Sequence, residues 1–109
     1  MVFTFFIKVC RSFFFYRWTY FIKITSKTKV IHIVYLSGIP INLDEIILIA
    51  RKYNLTIIED ISQSYGSTYN NKLIGSYGDV AIGSFSLGKS IASLAGGFII
   101  TKNENLYKS

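Results

Sequence analysis

The most constraining stretch of the chain is residues 29–59, where two apolar runs flank an amphipathic helix pattern. Lys29 to Leu36 (KVIHIVYL) is rich in β-branched residues and lacks strict alternation, as expected of a strand covered on both faces in a parallel sheet. Ser37, Gly38 and Pro40 break the run. Asn42 can then cap a helix of about three turns, with Asp44 and Glu45 in its first turn and Arg51 and Lys52 in its last, an order that suits the helix dipole. Its apolar stripe is Leu43, Ile46, Ile47 and Ala50. Asn54 can close it, and Leu55 to Glu59 (LTIIE) reads as a second buried strand. Strand, helix, strand with a right-handed crossover is the default topology, which makes the sheet parallel.

Residues 65–78 (YGSTYNNKLIGSYG) read as a loop with a small hairpin around Asn70 and Asn71. Asp79 to Phe85 is a third strand and Gly97 to Thr101 a fourth. Only about ten residues separate these two, short of the dozen or more that a parallel crossover uses, so the fourth strand is expected to run antiparallel. Asn103 to Ser109 resembles the opening turns of a helix that the chain stops before completing. The fold class expected is α/β, a partial three-layer sandwich with a mostly parallel sheet and one antiparallel strand.

Residues 1–23 have a different character. Ten aromatic residues lie in the first 21 positions with no steady period of two or of 3.6. Lys8, Arg11 and Arg17 interrupt every stretch that could span a membrane, and no small-residue cleavage site follows the apolar start. The segment reads as an unstructured or wrongly framed start in preference to a basic, aromatic membrane-surface anchor, because no amphipathic face can be drawn on it. The formal net charge of +6 comes from this end: residues 1–29 hold six basic residues and no acid, whereas residues 30–109 hold six of each. That distribution argues against nucleic acid as a partner, which needs basic residues gathered on a folded element. The single cysteine, Cys10, makes no internal disulfide and fits a reducing cytoplasm.

Three features carry candidate chemistry. Gly83, Gly88, Lys89 and Ser90 satisfy the spacing G-x-x-x-x-G-K-[ST] of a phosphate-cradling loop, but only Ile91 to Ala95 follow before Gly96 and Gly97 stop any helix, and that loop needs a long helix after it. His32 lies inside an apolar strand with no second His or Cys nearby, so a core histidine is the better reading and no metal site is expected. Asp60 directly follows the second strand, at the sheet edge where open α/β folds bind ligands, although Asp60 to Gln63 is also the spacing of a helix capping box.

Six motifs then occur in a fixed order from Ile24 to the end: T-x-K-T-K-x-I from Thr25, G-x-P-x-x-x-D-x-I from Gly38, E-D-x-x-Q from Glu59, G-x-x-x-x-N-K-x-x-G-S-x-G-D from Gly66, S-F-x-x-x-K from Ser84, and Gly96-Gly97. In this order they resemble the DegT/DnrJ/StrS family of pyridoxal-phosphate sugar aminotransferases, which have the type I aminotransferase fold. Residues 24–109 resemble a middle fragment of its large domain, the cofactor-binding one, and residues 1–23 do not resemble the corresponding family segment. The chain also departs from the pattern at Tyr35 and Ser37, where the family usually has His and Tyr, at Ile61, where it has a small residue, and at Ser86, where it often has an aromatic.

The resemblance implies pyridoxal 5'-phosphate as cofactor. It places Asp60 at the pyridine nitrogen, where a carboxylate keeps the ring protonated and electron-withdrawing. Gln63 would hydrogen-bond the phenolic oxygen, Ser84 would donate to the phosphate, and Lys89 would be the Schiff-base lysine and the acid/base that moves the substrate proton. It further implies a nucleotide-linked keto-sugar substrate, an amino-acid donor such as glutamate, a homodimeric parent enzyme, a cytoplasmic location, and a fragment inactive on its own.

Overall fold

The computed structural model describes residues 3–8, 24–35, 41–85 and 95–107. Its strands are β1 (Phe3–Lys8), β2 (Thr28–Val34), β3 (Thr56–Asp60), β4 (Thr68–Tyr69), β5 (Lys72–Leu73), β6 (Val80–Ser84) and β7 (Gly97–Thr101). The helices are α1 (Leu43–Tyr53) and the single turn α2 (Glu104–Tyr107). Five strands form one sheet in the order β1-β2-β3-β6-β7, and β4 and β5 form a separate hairpin. β1, β2, β3 and β6 are mutually parallel, and β7 runs antiparallel to β6, as its short connection requires.

The expected strand-helix-strand unit is present. Asn42 Oδ1 accepts from the Glu45 N–H at 3.3 Å, and Asn54 ends α1 in the left-handed conformation (φ 52°) with its own N–H directed at the last carbonyls. The buried stripe of α1 is Leu43, Ile46, Ile49 and Ala50, which corrects the expected Ile47 to Ile49. Residue 47 falls at the border of a helical stripe centred between 46 and 50 and is only half-buried. This stripe packs on Ile31, Ile33 and Tyr35 of the β2 edge and on Ile57 and Ile61 of the β3 edge, alternate residues pointing to one sheet face. Each fully buried Ile or Leu in that cluster contributes about 1.5–3 kcal/mol relative to exposure. On the opposite face Val30, His32, Val34, Ile58, Asp60, Val80, Ile82 and Ser84 are half-buried.

The hairpin turns where expected: Asn70 and Asn71 both have positive φ (46° and 60°), as a two-residue primed turn demands. Tyr69 donates from its hydroxyl to Asp44 Oδ2 at 2.9 Å, tying the hairpin to the first turn of α1. Residues 3–8 fall in the stretch read from the sequence as lying outside any fold, and here their backbone pairs with β2, from Phe3↔Thr28 to Lys8↔Val34. Backbone pairing onto a strand edge requires no side-chain periodicity, so the absence of a period concealed it. No helix among the described residues is long and apolar enough to cross a membrane.

Candidate active site

β3 and β6 are in register through Ile58↔Val80, Glu59↔Ala81 and Asp60↔Ile82, and the Ile61 N–H donates to the Ile82 carbonyl at 2.9 Å. Asp60 ends β3 and Ser84 ends β6. Because Ser84 lies two residues beyond Ile82, it shares the face and the edge of Asp60. Ser62 joins them. Its N–H donates to Asp60 Oδ1 at 2.9 Å, while its Oγ accepts from the Ser84 N–H at 3.0 Å and from Ser84 Oγ at 3.1 Å. Both Asp60 and Ser84 are half-buried, so each keeps access to solvent or to a ligand.

The residues after Asp60 form successive turns and no helix, with Ser64 N–H donating to the Ile61 carbonyl and Ser67 N–H to the Ser64 carbonyl. Asp60 therefore closes an Asx-type turn onto Ser62, and the capping-box reading of Asp60 and Gln63 is corrected. Gln63 stands exposed in that turn. Lys89 lies outside the described residues, as do Gly88 and Ser90 of the phosphate-loop spacing. Gly83 of that spacing lies within β6. His32 sits mid-strand in β2, in register with Ile58, and among the described residues no group of three or more His, Cys, Asp or Glu could hold a metal ion.

Directly behind Asp60, on the other face, is a residue that sequence reasoning left inside a strand. Glu59 is fully buried, and its carboxylate accepts four hydrogen bonds. Tyr35 Oη and the Gly75 N–H donate to Oε2, both at 2.7 Å, and the Tyr77 and Gly78 N–H groups donate to Oε1 at 2.8 and 2.5 Å. Burial, followed by the adjacent Glu59 carboxylate, pushes the Tyr35 phenol far above its usual range. Gly78 has to be glycine: a Cβ there would stand 2.9 Å from the Ile57 carbonyl oxygen and 3.2 Å from Glu59 Cγ. Gly75 has φ +85° and lies against Ile61. Asp79 extends the same support, accepting from the Ile57 N–H at 2.8 Å through Oδ2. The available signal for Glu59 was an acid within an otherwise apolar strand, followed by a glycine-rich segment able to supply amide donors.

Residues 22–109 match the DegT/DnrJ/EryC1/StrS aminotransferase family. The chain belongs to this family. It is 49% identical over 82 residues to the dTDP-3-amino-3,6-dideoxy-alpha-D-galactopyranose transaminase of Aneurinibacillus thermoaerophilus, which covers 75% of this chain and 23% of that protein. It is 40% identical over 85 residues to the GDP-perosamine synthase of Escherichia coli O157:H7, covering 78% and 23% respectively. Among solved structures, it superposes on E. coli GDP-4-keto-6-deoxy-D-mannose-3-dehydratase with bound hydrated PLP at a TM-score of 0.71 and 37% identity, covering 79% of this chain and 22% of that one. The α/β sheet with its antiparallel β7 is thus the family's architecture, and the chain spans less than a quarter of the length of these relatives.

Proposed function

We propose that this chain is the cofactor-binding segment of a pyridoxal-phosphate aminotransferase that acts on a nucleotide-linked keto-sugar, with an amino acid such as glutamate as donor. The reading rests on one observation above the others: Asp60 and Ser84 share one strand-end edge and are joined through Ser62. A half-buried carboxylate beside a hydroxyl pair is a donor and acceptor set that fits a pyridinium nitrogen and a phosphate. When bound, pyridoxal phosphate supplies an electron-withdrawing ring that stabilises negative charge on the substrate carbon.

In this reading Asp60 holds the proton on the ring nitrogen, Ser84 donates to the phosphate, and Gln63 hydrogen-bonds the phenolic oxygen. Lys89 acts as nucleophile and then moves the proton at the reacting carbon. Relatives named for dTDP- and GDP-linked sugars support the substrate class and a place in polysaccharide or amino-sugar synthesis. The complete enzyme is read as a cytoplasmic homodimer.

Incubation with pyridoxal phosphate followed by borohydride tests this, because reduction fixes a carbonyl condensed with an amine and needs no turnover. An adduct mapped to Lys89, lost in Lys89→Ala, is expected. No adduct together with tight ATP binding would instead favour the phosphate-loop reading of Gly83 to Ser90.

A further inference from the structure

Ser62 lies between two residues assigned to the cofactor and has no role assigned to it. It is bonded to both Asp60 and Ser84: through its N–H to the first, and through its Oγ to the backbone and hydroxyl of the second. A serine oxygen has two acceptor sites and one proton. Here both acceptor sites are taken by Ser84, whose hydroxyl and N–H converge on one atom, so without a ligand the single Ser84 hydroxyl proton is directed at Ser62. For Ser84 to donate to a phosphate the pair turns round, the Ser84 proton going to the phosphate and the Ser62 proton to Ser84 Oγ, and a hydroxyl that accepts from a second hydroxyl is a better donor than an isolated serine.

Resting on the proposed function above, we infer that Ser62 is a positioning residue of the cofactor site, whose hydroxyl orients Ser84 toward the cofactor phosphate while its backbone holds the Asp60 carboxylate. Alanine at 62 keeps the bond to Asp60, which uses the backbone, and removes both bonds to Ser84. The effect of Ser62→Ala is therefore confined to the phosphate end.

The test is equilibrium binding to the whole chain, followed by absorbance, of pyridoxal phosphate and of pyridoxal, which lacks the phosphate. Ser62→Ala is expected to weaken pyridoxal phosphate about tenfold, the scale of one lost hydrogen bond with its partner left unsatisfied, and to leave pyridoxal unchanged. Ser62→Thr, which keeps the hydroxyl, should restore most of the loss. Equal affinity of parent and Ser62→Ala for pyridoxal phosphate overturns the role of Ser62 while leaving the functional reading intact. A parallel loss for pyridoxal overturns it as well, since that marks a general defect in the fold. A parent chain that takes up neither compound overturns the functional reading and this role with it.

Discussion

Glu59 and Asp60 are neighbours in sequence, carry the same charge, and face opposite sides of one sheet. Glu59 is enclosed, with each carboxylate oxygen accepting two hydrogen bonds from its own protein. Asp60 is half-buried and spends one oxygen on the Ser62 N–H. A buried carboxylate is tolerable only with such a full set of donors, whereas one at an open strand end remains available to a ligand. The alternation of a strand thus divides two adjacent acids, one spent on the scaffold and one left open at the sheet edge.

The same acid-to-amide change at the two positions is the sharpest test of that division. Glu59→Gln puts an NH2 against backbone donors and is expected to cost about 3–5 kcal/mol, measured by urea unfolding. A cost below about 1 kcal/mol would mean that Glu59 is not the anchor of the Gly75–Gly78 turn.

Tyr35→Phe is expected to cost about 1–3 kcal/mol at neutral pH and also to change the alkaline limb of stability. The Tyr35 phenol is raised in the folded protein, so its contribution is fully present below the ordinary tyrosine range. It is lost above pH of about 10, at about 1.4 kcal/mol per pH unit, as the unfolded chain ionises first. Tyr35→Phe should therefore flatten the fall in stability between about pH 10 and 11. An unchanged slope would detach Tyr35 from Glu59.

Asp60→Asn should change stability by less than about 0.5 kcal/mol, because the amide oxygen can accept from Ser62 as the carboxylate does. In the complete enzyme the variant should retain the bound cofactor's colour and lose turnover. Full activity would remove Asp60 from the ring nitrogen.

What was legible in the sequence was local. Asn42 and Asn54 mark the ends of α1, Asn70-Asn71 marks the hairpin, and the short link before Gly97 sets the direction of β7, each through forces acting within a few residues. The strand-end positions of Asp60 and Ser84 followed from the same reading. Glu59 was not legible because its donors lie 16 to 24 residues away along the chain. The turn at Asp60 was missed for a related reason: the capping-box spacing is local, but the pairing of Ser62 with Ser84, 22 residues on, holds the chain in a turn. β1 depends on a free edge of β2, which no pattern in its own residues announces.

The enclosure of Glu59 also constrains the order in which the chain can assemble. Its donors come from Tyr35, 24 residues earlier, and from Gly75, Tyr77 and Gly78, 16, 18 and 19 residues later. Docking α1 over β2 and β3 before the later segment arrives would strand a charge in the apolar layer, a state too costly to accumulate. Pairing of β2 with β3, closure of the Gly75–Gly78 turn and burial under α1 are thereby coupled, so that the three are stable together and not singly.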